Sequence, residues 1–301
     1  MKQQTIVVIV YGQSVQNTEQ TQRYTRHRLA KIDKRQYSKE EWHKIREQRR
    51  LEKQAKEFKS LAPSSENKYS VLCLKHGTKY SAEYVNRLYN MINRNCTLDY
   101  EFVCLTDDPR GLNENVKILP LPGGMSGWWC KPYMYSKDLP LKGTVLYFDL
   151  DVVIANNIDK LFTWQPDQWC TIRDFTRVMR PKWPRYNSSI VRFKVGQLDH
   201  VWSNYMKDKN EIEKRLHGDQ DWLWEATRKT PAMLYPDSWA QSWKWEVRKD
   251  KIFKPGGIRG KRTFNNVDHI SKPRVECCVC VFHGDPNPEM IEDKWVVDNW
   301  C

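Results

Sequence analysis

Thr144-Val145-Leu146-Tyr147-Phe148-Asp149-Leu150-Asp151-Val152-Val153-Ile154 is the stretch on which the reading of this chain turns. It has the length and the β-branched and aromatic content of a buried strand, yet two carboxylates interrupt it. In an extended chain residues i and i+2 share a face, so Asp149 and Asp151 are expected to project together as the strand leaves the sheet. Two ionised carboxylates that close repel unless one is protonated or a cation lies between them. Hard oxygen ligands in this arrangement suit Mn²⁺ or Mg²⁺, with open positions for a substrate diphosphate. Asp-x-Asp pairs also occur on solvated loops, and what gives this one weight is the hydrophobic strand it ends.

Outward from that strand, residues from Tyr69 on alternate between strand and helix patterns. Ser70 to Leu74 reads as a strand, and Ser81 to Asn93 as a helix with Tyr84, Leu88, Met91 and Ile92 inward. Glu101 to Thr106, Val116 to Leu119 and Thr144 to Leu150 are the next strands, Trp128 to Lys137 a helix, and Asp221 to Thr227 another. This spacing predicts βαβ units, hence an α/β fold with a mixed, mostly parallel sheet flanked by helices. Ligands of such sheets bind beyond the carboxyl ends of the strands. Leu74 to Tyr80, Thr106 to Asp108 and Asp149 to Asp151 all fall there.

The N-terminal part has a different character. Ile6 to Val10 is a short strand-like run, too short for a signal peptide's apolar region. Ser38-Lys39-Glu40-Glu41 forms a capping box, and a charged helix with the thin apolar stripe Trp42, Ile45, Leu51, Ala55 and Phe58 is expected to follow it to about Lys59. The domain reading is thus a basic extension over residues 1–60, a linker over 61–68 and the chemical domain over 69–301. Of the net charge of +13, residues 1–60 carry +8, from 15 Lys or Arg against 7 Asp or Glu. An extension so basic suits an anionic surface or partner, or nucleic acid; a solvated charged segment is the plainer alternative.

No apolar run reaches the roughly 20 residues of a transmembrane helix. The nine cysteines are an odd number, several inside apolar strand-like runs, which fits unpaired thiols in a reducing cytoplasm. Cys277 and Cys280 form a C-x-x-C inside the strand-like run Val275 to Phe282, with no second pair to make a zinc site. The Trp222, Trp224, Trp239, Trp243 and Trp245 cluster has the aromatic surface to stack on a carbohydrate, although aromatics at such spacings are more often core.

Several motifs in order carry a resemblance. Lys131, then Tyr147-Phe148-Asp149-Leu150-Asp151-Val152-Val153 and Asn157-Ile158-Asp159-Lys160-Leu161-Phe162, resemble the corresponding passage in glycogenin and its family of retaining, GT-A-fold glycosyltransferases. Tyr186-Asn187-Ser188-Ser189-Ile190-Val191, Gly218-Asp219-Gln220-Asp221 and Phe282-His283-Gly284-Asp285-Pro286-Asn287-Pro288 continue it, over about residues 69–290. The resemblance implies transfer of a sugar from a nucleotide diphosphate sugar, UDP-linked, to the hydroxyl of a carbohydrate or other acceptor, with retention. It implies His283 as third metal ligand beside Asp149 and Asp151. Leu74, Lys75, Gly77 and Tyr80 would hold base and ribose, with Asp107 either reaching the same nucleoside or capping its loop. Lys131 and Asn187 would contact the donor sugar or phosphate, and Asp219 with Gln220 would lie beside the anomeric carbon. A solvent-facing lysine at Lys131, an ordinary turn at Lys75 and a helix cap at Asp219 are the plain alternatives.

This chain departs from the family in two places. Where the family carries a diphosphate-binding lysine it has Asn287, so Lys244, or Arg259, Lys261 and Arg262, are the cations expected to replace it. Asp221 follows the Gly-Asp-Gln motif in place of a small residue. Two other readings compete. One is a haloacid dehalogenase-type phosphatase, whose nucleophile strand also ends Asp-x-Asp but begins its domain. The other is a nucleic-acid-binding or scaffold protein working through the basic extension.

Overall fold

The computed structural model describes Ser38, Trp42, residues 69–248 and residues 271–301. All but two of these lie in Ser60–Cys301, one of the two units into which the chain divides. Trp42 N–H donates to the Ser38 carbonyl at 2.9 Å. The rest of the expected N-terminal helix, the strand-like run Ile6 to Val10, the linker, and Arg259, Lys261 and Arg262 lie outside the described residues.

The described strands are β1 (Tyr69–Lys75), β2 (Tyr100–Thr106), β3 (Lys117–Pro120), β4 (Thr144–Phe148), β5 (Val152–Ile154), β6 (Cys170–Arg173), β7 (Tyr186–Lys194), β8 (Met233–Leu234), β9 (Ala240–Ser242) and β10 (Val279–Val281). Seven of them form one sheet in the order β3-β2-β1-β4-β7-β6-β8, and β5-β10-β9 form a second. β1 pairs in parallel with β2 and β4, and β2 with β3, whereas β7 runs antiparallel to both β4 and β6. The expected mixed, mostly parallel α/β sheet is therefore present.

Side-chain alternation along the central strands builds two cores, one on each face. Val71, Cys73, Phe102, Cys104, Leu146 and Phe148 face one side, where they pack with Val85, Leu88, Met91 and Ile92 of helix α1 (Ala82–Asn95). Leu72, Val103, Leu105, Val145 and Tyr147 face the other, against Val201, Tyr205 and Ile212 of a later helix, Asp199–Arg215. Burial of both faces is why these strands read as continuous apolar runs.

The strand expected over Thr144 to Leu150 is present as β4 and stops at Phe148, while Val152–Ile154 is a separate strand, β5, in the second sheet. The carboxylates mark the junction, since a charged pair is poorly accommodated within a dry ladder. The backbone there stays paired, Asp149 N–H donating to the Ser189 carbonyl at 2.9 Å and Phe282 N–H to the Asp151 carbonyl at 2.8 Å. Gly127–Tyr135, expected as an α-helix from Trp128, is a 3₁₀ segment containing Pro132, which has no N–H for an α-helical bond.

Arg192 of β7 is buried at 1% exposure. Its guanidinium donates to the carbonyls of Phe162, Gln165 and Gln168, each at 2.6 Å, tying the sheet to the loop that precedes β6. Arg192→Leu leaves those acceptors unsatisfied, at roughly 1–3 kcal/mol each. A large drop in the urea unfolding midpoint is expected, and an unchanged midpoint would contradict this anchoring role.

Candidate active site

The site assembles where several strand ends meet. The parallel strands β1, β2 and β4 deliver the segments after Lys75, Thr106 and Phe148 to one edge of the sheet. β7, running the other way, starts at that edge, because Phe148 pairs with Ile190, and so it contributes Asn187, Ser188 and Ser189. β10 pairs antiparallel with β5, Val281 opposite Val152, which brings Phe282 and His283 beside Asp151. Asp219 opens the helix Asp219–Ala226, capped by Gly218. Together these ends line a cavity of about 720 Å³.

Lys131 is the hub of the polar network. Its Nζ lies 2.7 Å from Asp149 Oδ1, 3.6 Å from Asp219 Oδ2 and 3.4 Å from Ser188 Oγ. Asp149 Oδ1 also accepts from Tyr147 Oη at 2.7 Å, and Asp219 Oδ2 from Ser188 Oγ at 2.7 Å. Asp219 is thus the first residue of its helix and not its cap, with its carboxylate turned to Lys131. Gln220 bridges outward: its Oε1 accepts from Ser188 N–H at 3.3 Å and its Nε2 donates to Asp174 Oδ2 at 2.8 Å. Asp151, 8% exposed, accepts from Tyr80 Oη at 3.1 Å through Oδ2. Asn187 Oδ1 accepts from Ser189 N–H at 3.0 Å.

Charge is out of balance. Three buried or half-buried carboxylates, Asp149, Asp151 and Asp219, share one directly paired ammonium among the described residues. Burial, then the Asp149 charge, push the Asp151 carboxyl up to about 7, against the pull of Tyr80 and Lys131. Burial likewise raises Asp219, with Lys131 opposing. Burial works against the charge on Lys131, but Asp149 and Asp219 outweigh it and carry its pKa above the ordinary lysine value. The hydroxyls of Tyr80 and Tyr147 are held protonated, first by burial and then by the carboxylates beside them.

His283 stands on the same cavity wall. Its ring stacks on Phe175 at 5.2 Å and meets Trp245 edge-on at 5.1 Å, while Nε2 lies 2.7 Å from Ser242 Oγ. Burial, with Lys244 and Arg177 nearby, lowers its pKa to about 4, so it is neutral near pH 7.

These residues fit a divalent cation chemically. The surplus of carboxylates over the single ammonium paired with them, and the absence of any described hydrogen bond to Asp149 Oδ2 or Asp151 Oδ1, leave carboxylate oxygens available as hard ligands. With Nε2–H donated to Ser242 Oγ, Nδ1 of His283 would keep its lone pair for a metal. The set is not closed in this conformation: among the described residues no three His, Cys, Asp or Glu side chains form a metal-holding group.

Of the residues singled out in the sequence, Leu74, Gly77, Tyr80, Lys131, Asp149, Asp151, Asn187, Asp219, Gln220 and His283 line this cavity. Lys75, Asp107 and Lys244 do not. Lys75 is buried and donates to the Asp108 carbonyl at 3.3 Å. Asp107 accepts from Gly77 N–H at 3.1 Å through both oxygens, bracing a turn that glycine permits at φ +61°. Lys244 Nζ donates to the His283 carbonyl at 2.9 Å and lies just behind the wall. Sequence reasoning assigned no role to Tyr147, Ser188, Trp128 or His217, which also line the cavity. Tyr147 was within reach of the same two-residue alternation that selects Asp149; the others come from distant segments and have no local signal.

The cysteines are all unpaired, Cys277 and Cys280 lying buried in or beside β10. No described helix is long and apolar enough to cross a membrane. Among the described residues three strands precede β4, an order unlike a phosphatase whose Asp-x-Asp strand comes first.

This sheet order, with its site at the ends of β1, β4 and β7, defines a GT-A fold. Solved structures like it are the WbbM bifunctional glycosyltransferase in its apo form, with TM-score 0.54 and 12% identity over 80% of this chain and 50% of that one. The glycosyltransferase GlyE of Streptococcus pneumoniae TIGR4 follows, with TM-score 0.53 and 12% identity over 77% and 62%. An active-site mutant of LgtC has TM-score 0.50 and 12% identity over 74% and 90%. The chain therefore spans about half the length of WbbM and less than two thirds of GlyE. No family profile and no curated relative matches the sequence.

Proposed function

We propose that this protein is a metal-dependent glycosyltransferase. It takes a sugar from a nucleoside diphosphate sugar, UDP-linked, and delivers it to an acceptor hydroxyl with retention at the anomeric carbon. The observation that carries the reading is the cavity in which Lys131 joins Asp149 to Asp219 beside Asp151. The GT-A fold and the order of the motifs support it, and nine unpaired thiols suit the reducing cytoplasm in which we place it.

Asp149, Asp151 and His283 would hold Mn²⁺ or Mg²⁺, which when bound supplies positive charge where negative charge develops on the departing diphosphate. The chain's own groups do the rest. Gly77 and Tyr80 border the nucleoside, the glycine admitting close backbone approach. Lys131, kept charged by its two carboxylates, hydrogen-bonds the donor sugar or its phosphate. Asn187 and Gln220 offer amides to sugar hydroxyls, so that a sugar of the wrong configuration leaves polar groups unpaired. Asp219, held by Ser188, stabilises the positive charge that gathers on the anomeric carbon as its bond to the diphosphate breaks. The new bond forms to the acceptor oxygen, whose proton passes to the diphosphate. Lys244, next to His283, is the cation we assign to the place where Asn287 leaves none.

Release of UDP from a panel of UDP-sugars with Mn²⁺ tests the reading. Turnover of one or two donors, quenched by EDTA, is expected. Hydrolysis of a simple phosphate ester with no turnover of any sugar nucleotide would sink it.

The cation should also compete with a proton on Asp151. Below pH 7 that carboxyl is increasingly protonated, whereas His283 stays neutral down to about pH 4. The Mn²⁺-induced rise in Tm should therefore grow from pH 5.5 to about pH 7 and then level off. A shift that is flat across that range, or one that keeps growing to pH 9, contradicts the assignment.

A further inference from the structure

We infer that Trp128 is the platform on which a carbohydrate acceptor stacks its pyranose ring; the inference rests on the transferase reading above and names its acceptor class. The tryptophans that the sequence offered for this role are core residues. Trp222 and Trp243 are buried, and Trp224, Trp239 and Trp245 pack half-buried against the two cores. Trp128 is different, because it lines the active-site cavity and is 50% exposed.

The indole is held by its surroundings. It stacks on the His217 ring, with centroids 5.7 Å apart and planes at 18°. Its edge rests on Gly218, where a Cβ would stand 3.2 Å from Nε1 and 3.4 Å from Cδ1, so glycine there lets the ring lie close to the backbone. On the other flank Gly127 N–H donates to His76 Nδ1 at 3.4 Å. Gly218 immediately precedes Asp219, so a ring lying on Trp128 sits next to the residues assigned to the anomeric carbon.

The chemistry of this wall matches a sugar. A pyranose presents a face of C–H bonds whose partial positive charge suits the negative face of an indole, while its hydroxyls point outward. Polar side chains stand beside it on the same cavity wall: His217, whose ring stacks on the indole, and Asp219, which follows Gly218. A flexible aliphatic acceptor would need no such plane, and an anionic one would meet Asp219 and Asp149.

The test uses the full chain with Mn²⁺ and the methyl pyranosides of glucose, galactose, mannose and N-acetylglucosamine. Saturation-transfer NMR is run with and without UDP, and UDP affinity is measured in parallel by calorimetry. Saturation of ring C–H protons is expected for at least one glycoside, with affinity about tenfold weaker in Trp128→Ala. Trp128→Tyr should recover most of it, and UDP affinity should change by less than about threefold, as expected for a contact made to the acceptor alone. Unchanged glycoside binding in Trp128→Ala overturns the inference, as does the absence of any glycoside signal in the native protein. Loss of UDP binding in Trp128→Ala with the glycoside signal intact also overturns it, since Trp128 would then serve the base. Glycoside binding through Trp128 in a native protein that binds no UDP keeps the platform and sinks the transferase reading, so the two failures are distinguishable.

Discussion

Asp151→Asn should lower the Mn²⁺-dependent affinity for UDP by at least about 100-fold while leaving the metal-free protein as stable as before or more so. The two effects have opposite signs because they come from one charge. The substitution keeps the shape of the side chain and an oxygen able to accept from Tyr80 Oη, now 3.1 Å away. It removes a buried carboxylate whose ionisation is opposed by burial and by Asp149. In the sign convention of proton linkage, a carboxyl raised in the folded state supports stability below its unfolded pKa and loses that support as pH rises through its folded pKa. At pH 8 the native Asp151 has lost it, and a neutral amide recovers roughly 1–4 kcal/mol. Urea unfolding without metal gives the first number and calorimetry with UDP the second. A variant that binds UDP as tightly as the native protein removes the metal assignment.

Lys131→Met has the reverse profile. The Lys131 side chain is 13% exposed, and its ammonium is the direct counter-charge of both Asp149 and Asp219. Removing one partner of a buried ion pair costs about 3–5 kcal/mol, because the remaining charge stays desolvated. With no lysine to lower it, the Asp219 carboxyl, already raised by burial, rises further. The loss should therefore be largest at pH 8 and shrink towards pH 5, as protons take the place of the missing ammonium. Lys131→Arg should keep most of the stability. If Lys131→Met unfolds at the native urea midpoint at pH 8, the lysine is no hub.

The fold was legible where periodicity is strong. The two-sided apolar runs of β1, β2 and β4 and the inward stripe of α1 announced a parallel α/β sheet before any long-range contact was known. The antiparallel entry of β7 and the separate β5-β10-β9 sheet were not legible, because strand direction is decided by partners far along the chain. For the same reason nothing local says that the chain, on leaving the strand at the two aspartates, passes into a second sheet at Val152.

The site divides along the same line. Asp149, Asp151 and the loop after β1 could be picked out because they sit at the ends of recognisable strands. Ser188, which links Lys131 to Asp219, could not, since three segments must converge before a serine there means anything. Lys75 was picked out with that loop by resemblance alone; its side chain turns to the Asp108 carbonyl, a backbone partner that no local pattern announces. Trp128 was hidden behind five more conspicuous tryptophans, and only burial separates a platform from a core.

The central claim is that one cavity binds a nucleoside diphosphate through a divalent cation. Titration of UDP into the full chain by calorimetry, with Mn²⁺ and again with excess EDTA, tests it most directly. Saturable binding with Mn²⁺ that vanishes with EDTA and in Asp151→Asn is the predicted result. Binding of UDP that is indifferent to EDTA, or no binding of any nucleoside diphosphate, would contradict it.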